Sequence, residues 1–221
     1  MTENGSSGWR GRVFPGLVEV LQRSFELGFL GRMPVADQIE HGLGFVAILE
    51  SELEGPPESV IDLGSGGGVP GLILASCWPE TRVVLMDASM RRTAFLAEVL
   101  ADWAGTCQAE VIRGRAEELG KTMILRERFN AVTSRSFAIP AATAECGSAF
   151  LEVGGSMVIS EPPDADPSER WPEEGLAGFG LLPSATLRPI ERYGYQVLRK
   201  VEHLADHFPR RVGIPVKRPA F

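Results

Sequence analysis

The chain has 221 residues, 44% of them hydrophobic and 23% charged, which excludes global disorder and a fibrous repeat and allows one domain with a real core. No run approaches the ~18 apolar residues that a membrane helix needs. The net charge of −7 excludes a surface uniformly coated for nucleic acid, yet eight basic residues stand against three acidic ones from Arg188 to Phe221, so that stretch is +5 and the rest −12.

Residues 1–12 are polar and Gly/Ser-rich, and read as a loose end without the apolar core of a signal peptide. Apolar residues then recur at helical spacing from Val13 to Leu30 and from about Val35 to Leu53. Glu54-Gly-Pro-Pro57 stops the second helix. This gives an N-terminal helical extension, 1–54, ahead of a core, 55–221.

In the core, strands and helices alternate. Strands are expected at Ser59–Leu63, Thr81–Asp87, Ala109–Ile112, Phe129–Ser134 and Gly155–Ser160. Helices are expected at Leu72–Cys77, Ser89–Trp103 and Pro140–Phe150. Glu161–Glu174 is acidic and Pro-rich and reads as a loop, followed by strands near Thr186–Glu191 and Tyr195–Glu202. Such alternation predicts an α/β fold, a mostly parallel sheet with helices on both faces. The tight connection at Arg192-Tyr-Gly194 predicts an antiparallel hairpin at one edge.

Cys77, Cys107 and Cys146 are scattered and form no CxxC pair. Neither a disulfide framework nor a zinc site is expected, and the environment reads as reducing and cytoplasmic. His203 and His207 stand four apart, but no third ligand accompanies them.

The most informative segment is Val60-Ile-Asp-Leu-Gly-Ser-Gly-Gly-Gly-Val-Pro-Gly71. A strand runs into glycines, which let the backbone turn and a ligand approach, and then into a helix. Gly66–Gly71 matches GxGxxG, a weak sign of a dinucleotide by itself. The alternative is simple packing of helix on strand. No Gly-Lys-Ser/Thr follows, so a phosphate-binding P-loop is excluded. Asp62 beside the glycines would repel a pyrophosphate and suits a cationic group, such as the ammonium of S-adenosylmethionine (SAM). Asp87 ends the next strand, where an acid bonds ribose hydroxyls in doubly wound folds. Arg91 and Arg92 read as solvated residues of a helix start. Glu117-Glu118, after Arg115-Ala116, lies past the third strand, where it would meet an adenine through backbone or carboxylate, or simply start a helix with acids at its N-terminus. Arg135 and Phe137 follow the fourth, where Arg135 is placed to steady a carboxylate or phosphate and Phe137 to stack on a base or pack in the core.

IDLGSGGGVPGL, LMDASMRRTAFL, GRAEEL, VTSRSF and FPRRVGIPVKRPAF together resemble the RsmG/GidB family, the 16S rRNA guanine-N7 methyltransferases. The resemblance runs from about Leu27 to the C-terminus. It implies a Rossmann-like class I methyltransferase with a seven-stranded sheet, SAM as cofactor and 16S rRNA or a small-subunit precursor as partner, with no metal and no membrane. It implies cofactor contacts from Gly64, Val69, Ala116, Glu117 and Arg135, with Asp87 facing the ribose; the reading of the glycine loop itself adds Asp62, Ser65, Gly66 and Gly68. Arg135 and Phe137 would act as positioning groups at the reacting centre, and Arg210, Arg211, Lys217 and Arg218 would face RNA. There are departures. Only His41 remains of the family's Arg-His-x-x-Asp-Ser segment, Phe25-Glu-Leu-Gly-Phe-Leu30 replaces an Asn-Leu-Thr stretch, and Ser160-Glu-Pro-Pro163 replaces a Lys-Gly. A relative that methylates a small metabolite is the alternative, favoured by the negative charge and these departures. A SAM-sensing protein without transferase activity and a nicotinamide-dependent reductase are the further alternatives.

Overall fold

The computed structural model describes residues 11, 13–162, 166–190 and 192–221. Residues 1–10 and 12 of the expected loose end, and Glu191 of the expected sixth strand, lie outside the described residues. The chain opens with α1 (Leu17–Glu26) and α2 (Val35–Glu52). The core then runs β1 (Ser59–Leu63), α3 (Gly71–Cys77), β2 (Arg82–Asp87), α4 (Met90–Asp102), β3 (Ala109–Arg113) and α5 (Ala116–Leu119). It continues with β4 (Phe129–Ser134), α6 (Pro140–Ser148), β5 (Leu151–Glu161), α7 (Pro167–Arg170) and α8 (Glu173–Ala177), and closes with β6 (Leu181–Ile190), β7 (Tyr193–Lys200) and α9 (Ile214–Lys217).

The seven strands form one sheet in the order β3-β2-β1-β4-β5-β7-β6. The first five are mutually parallel, while β7 is antiparallel to β5 and to β6. The central strands alternate strictly. Val60, Val83, Leu85 and Ala131 face one apolar cluster, with Leu21, Phe45, Leu72 and Phe95 from α1–α4. Ile61, Leu63, Val84 and Val132 face the other, with Ala144, Phe150, Leu176 and Phe179. Both faces are covered, as parallel strands with almost no exposed side chains require. Because α1 and α2 contribute to the first cluster, the N-terminal helices lie on the sheet.

Three strands depart from their expected bounds by more than one residue. β5 starts at Leu151 rather than Gly155, because Gly154 at φ 91° lets it swell outward between Phe129–Leu151 and Ala131–Ser156 pairings. β6 starts at Leu181 rather than Thr186. Pro183 argues against a strand in sequence, but β6 is the sheet edge, where a missing N–H is tolerated. β7 spans Tyr193–Lys200 instead of Tyr195–Glu202. The expected loop after β5 contains α7, entered through Asp166 Oδ1, which accepts from the Ser168 N–H at 2.9 Å.

The strand order reverses between β1 and β4, with β2 on one side and β5 on the other. A crevice opens at the carboxyl ends of strands at such a switch point. Among the described residues, no helix is long and apolar enough to cross a membrane.

Candidate functional site

The loop after β1 is shaped by Gly64, Gly66 and Gly68, at φ 68°, 56° and 98°. These left-handed values exclude most side chains. At Gly64 an added Cβ would also lie 2.9 Å from Phe137 Cδ2. The loop therefore exposes backbone to the crevice. Ser65 secures it from beneath: its N–H donates to the Met86 carbonyl at 2.9 Å and its hydroxyl to the Asp62 carbonyl at 3.0 Å.

Asp62, expected beside a ligand ammonium, is turned inward. Its side chain is buried, Oδ1 accepts from Thr133 Oγ1 at 2.9 Å, and Oδ2 accepts from the Gly71 N–H at 3.1 Å. It joins β4 to the first turn of α3 behind the loop. Burial raises its pKa to about 6 against the opposing pull of these hydrogen bonds and of Arg135. A carboxyl whose folded pKa is raised favours the native state most at acid pH, and that advantage is lost as pH rises through about 6. Asp62→Asn, which removes the charge and keeps one acceptor for Gly71, should therefore stabilise the protein by about 1–2 kcal/mol at pH 7. Its advantage over the parent should grow between pH ~4 and ~6 and then level off. Denaturant unfolding across that range checks this, and a gain independent of pH would refute it.

Asp87 ends β2 at the crevice. Oδ2 accepts from the Gly66 N–H at 3.0 Å, Oδ1 accepts from the Ser89 N–H at 2.8 Å, and Arg92 Nη1 stands 3.5 Å from Oδ2. The carboxylate thus ties the glycine loop to the start of α4 and keeps one face on a cavity of about 410 Å³. That cavity is walled by Gly64, Asp87, Ala116, Glu117 and Phe137, and on its outer side by Pro215 and Val216.

A second cavity of about 470 Å³ adjoins it across Gly64 and Arg92 and takes in Ser65, Gly66, Val69 and Arg135. Arg135 leaves the end of β4 and donates from Nη1 to Gln38 Oε1 of α2 at 2.5 Å. Burial lowers its pKa, opposed by the charge of Asp62. His41, one helical turn from Gln38, lines the same cavity. Its Nε2 lies 2.9 Å from Ser160 Oγ, and its ring stacks on Tyr193 at 4.4 Å. Burial, with the Arg135 charge, lowers the His41 pKa to about 4, so this ring is neutral at pH 7. Ser136, beside both cavities, holds φ 58°, an uncommon value for a residue other than glycine.

The expected residues therefore separate. Gly64, Ser65, Gly66, Val69, Asp87, Ala116, Glu117, Arg135 and Phe137 line the crevice. Asp62 and Gly68 lie behind it; at Gly68 an added Cβ would strike Leu72 at 2.4 Å. Arg210, expected to face RNA, is the inner anchor of the tail. Its Nε and Nη2 donate to Glu145 Oε2 at 3.0 and 2.6 Å, and its Nη1 donates to the Arg218 carbonyl at 2.8 Å. Glu117 has a second task, accepting from the Gly213 N–H at 2.8 Å. Arg211, Lys217 and Arg218 remain exposed. Gln38, His41 and Ser160 were not among the expected site residues. His41 and Ser160 are marked in the sequence only by comparison with the family's motifs and Gln38 not at all; their proximity to Arg135 is a tertiary fact. Arg92 was read as solvated, yet its position five residues beyond Asp87 turns it back over the strand end. Among the described residues no three His, Cys, Asp or Glu groups are placed to hold a metal ion, and His203 Nδ1 instead meets Glu127 Oε2 at 2.9 Å.

The pattern defining the rRNA small subunit methyltransferase G family matches residues 40–161. A protein of Thermotoga sp. named ribosomal RNA small subunit methyltransferase G is 33% identical over 77% of this chain and 74% of its own. One of the same name from Leuconostoc citreum is 30% identical over 79% and 74%. Among solved structures, a Podospora anserina methyltransferase bound to S-adenosylhomocysteine superposes with a TM-score of 0.57 at 16% identity, covering 86% of this chain and 89% of that one. A Klebsiella pneumoniae protein described as a putative O-methyltransferase gives 0.57 at 14% identity, over 87% and 94%. At such identities these two speak for the fold.

Proposed function

The chain belongs to the rRNA small subunit methyltransferase G family, and we propose that it transfers a methyl group from SAM to N7 of a guanine in 16S rRNA. The observation that carries the cofactor reading is the pair of joined cavities at the switch point, with Asp87 between the glycine loop and the first cavity. The fit is chemical. The first cavity offers a carboxylate to ribose hydroxyls and a flat wall at Phe137 for an adenine, while the second offers Arg135 to a carboxylate. Backbone of Gly64 and Gly66 lies between them. Asp62 supports this arrangement through Gly71 and Thr133 rather than by touching the ligand.

When bound, SAM supplies a methyl carbon on a sulfonium, electrophilic enough for a neutral ring nitrogen to take. Guanine N7 carries its lone pair in the ring plane, so no residue has to remove a proton first. The protein's task is alignment and exclusion of water. Arg135, held by Gln38, fixes the amino-acid end of the cofactor, and Phe137 supports the adenosine end and the approach of the base. Neutral His41, held by Ser160 and Tyr193, closes the far side of the second cavity without adding charge near a cationic sulfur. Arg135→Ala should slow methyl transfer by at least about tenfold; unchanged turnover would remove it from this role.

The deciding experiment mixes the protein with labelled SAM and 16S rRNA lacking 7-methylguanosine, then digests the RNA and looks for that nucleoside. Its appearance at one position is the expected result. Cofactor binding without RNA methylation overturns the substrate. Activity on RNA should fall as salt rises. Arg211→Ala and Lys217→Ala should each flatten the salt slope by about one unit, if each side chain neutralises one phosphate. A small-metabolite substrate is not favoured by the relatives, which carry one rRNA-directed name.

A further inference from the structure

Beyond Phe137 the crevice continues into a third cavity of about 330 Å³, between the ends of β4 and β5 and the segment at α7. It shares Ser136 and Phe137 with the first cavity, and Ser136 and Ser160 with the second. Its polar lining is unusual. Trp171 and Ser134 are 2% and 1% exposed. Trp171 Nε1 and Ser134 Oγ are buried with no hydrogen-bond partner among the described residues. Buried polar atoms are seldom left so, because each one unmade is costly. The same cavity is lined by the buried Glu161 carboxylate, held by Arg170, whose Nε donates to Oε2 at 2.5 Å and whose Nη2 donates to Oε1 at 3.4 Å. The Phe137 ring and Thr143 complete the wall. The residues lining the cavity therefore carry an anionic acceptor, a group that can only donate, and a hydroxyl that can do either.

We propose that this cavity receives the target guanine, Watson–Crick edge first. The assignment rests on the guanine-methylating reading above. Guanine carries N–H donors at N1 and N2 and an acceptor at O6 on that edge. Glu161 matches the donors, the Trp171 N–H matches O6, and Ser134 takes the remaining place. Adenine presents an amino group where guanine has O6, so two donors would face each other and Trp171 would stay unsatisfied. N7 belongs to the ring edge that this grip leaves free, so it can face Ser136, where the three cavities meet. A base gripped in this way has left its stack, as enzymes that modify bases in structured nucleic acid require.

The test uses the intact protein saturated with S-adenosylhomocysteine, which keeps nucleotides out of the first two cavities, and titrates GMP, IMP and AMP by calorimetry. GMP should bind at least about fivefold more tightly than AMP. IMP, which lacks the N2 amino group, should fall between them. Trp171→Phe and Glu161→Gln should each erase the preference while S-adenosylhomocysteine affinity stays unchanged. The cofactor affinity reports folding, and the IMP result needs no substitution. Equal binding of GMP and AMP, no GMP binding, or a preference that survives Trp171→Phe overturns the assignment. The methylation assay separates the two claims. A guanine preference without rRNA methylation upholds the cavity and removes the rRNA substrate. Methylated rRNA without a guanine preference upholds the substrate and removes the cavity.

Discussion

Arg210→Ala should cost the protein about 3–5 kcal/mol of stability, the usual consequence of breaking a buried ion pair from one side. Glu145 lies on α6 with no exposed side-chain surface, while the Arg210 side chain is 28% exposed. The arginine gives the carboxylate three kinds of donor: its backbone N–H at 2.6 Å, Nε at 3.0 Å and Nη2 at 2.6 Å. Removing the side chain leaves the backbone bond alone beside a charge that water cannot reach. Replacing both partners, as in Arg210→Met with Glu145→Leu, should recover most of the loss, because the cost lies in the orphaned charge. Denaturant unfolding of both variants checks the argument. A single substitution costing under about 1 kcal/mol would show that the site relaxes to admit water. The same substitution should loosen the wall formed by Pro215 and Val216, and so weaken cofactor binding as well.

Asp87→Ala should weaken SAM by roughly 30–100-fold, or about 2–3 kcal/mol, the range for hydrogen bonds to a charged group. On the proposed reading, part of that loss would be direct, through the ribose hydroxyls. Part comes through the protein, since Asp87 also receives the N–H groups of Gly66 and Ser89 and stands near Arg92. Asp87→Asn keeps one acceptor oxygen and should lose less. Calorimetric titration with SAM measures both, and a wild-type affinity in Asp87→Ala would take the residue out of the cofactor site.

The parallel core was legible because β1, β2 and β4 are short apolar runs separated by helices, a pattern that admits few architectures. The position of Asp87 was legible for the same reason, as the end of the strand beside the glycine loop. The direction of Asp62 was readable but was missed. Ile61 and Leu63 face one cluster and Val60 the other. Strict alternation then turns residue 62 to the side of Val60, toward α3 and beneath the loop. Gln38 was beyond reach, since 97 positions separate it from Arg135 and only the packing of α2 joins them. Arg210 shows the limit of charge counting. Four cations in the tail look alike in sequence, and a single buried glutamate on α6 decides that one of them faces inward. Trp171 lay in a stretch read as an acidic loop, and Glu161 stood out only as the acid in place of the family's Lys-Gly; the short α7 brings them to one cavity.

Strand order carries a consequence for how the molecule is made. β7 is the last strand in the chain, yet it lies between β5 and β6. The β6–β7 hairpin is local and can form early, but β5 has no neighbour on that side until the hairpin docks. Until then Met157, Val158 and Ile159 present an open, apolar strand edge, the kind that pairs with other chains. Docking of the hairpin is thus the step at which self-association is most easily lost to or won by folding. Dilution or a holdase chaperone should raise refolding yield, and substitutions that weaken β5–β7 pairing should send the protein into aggregates before they affect its chemistry.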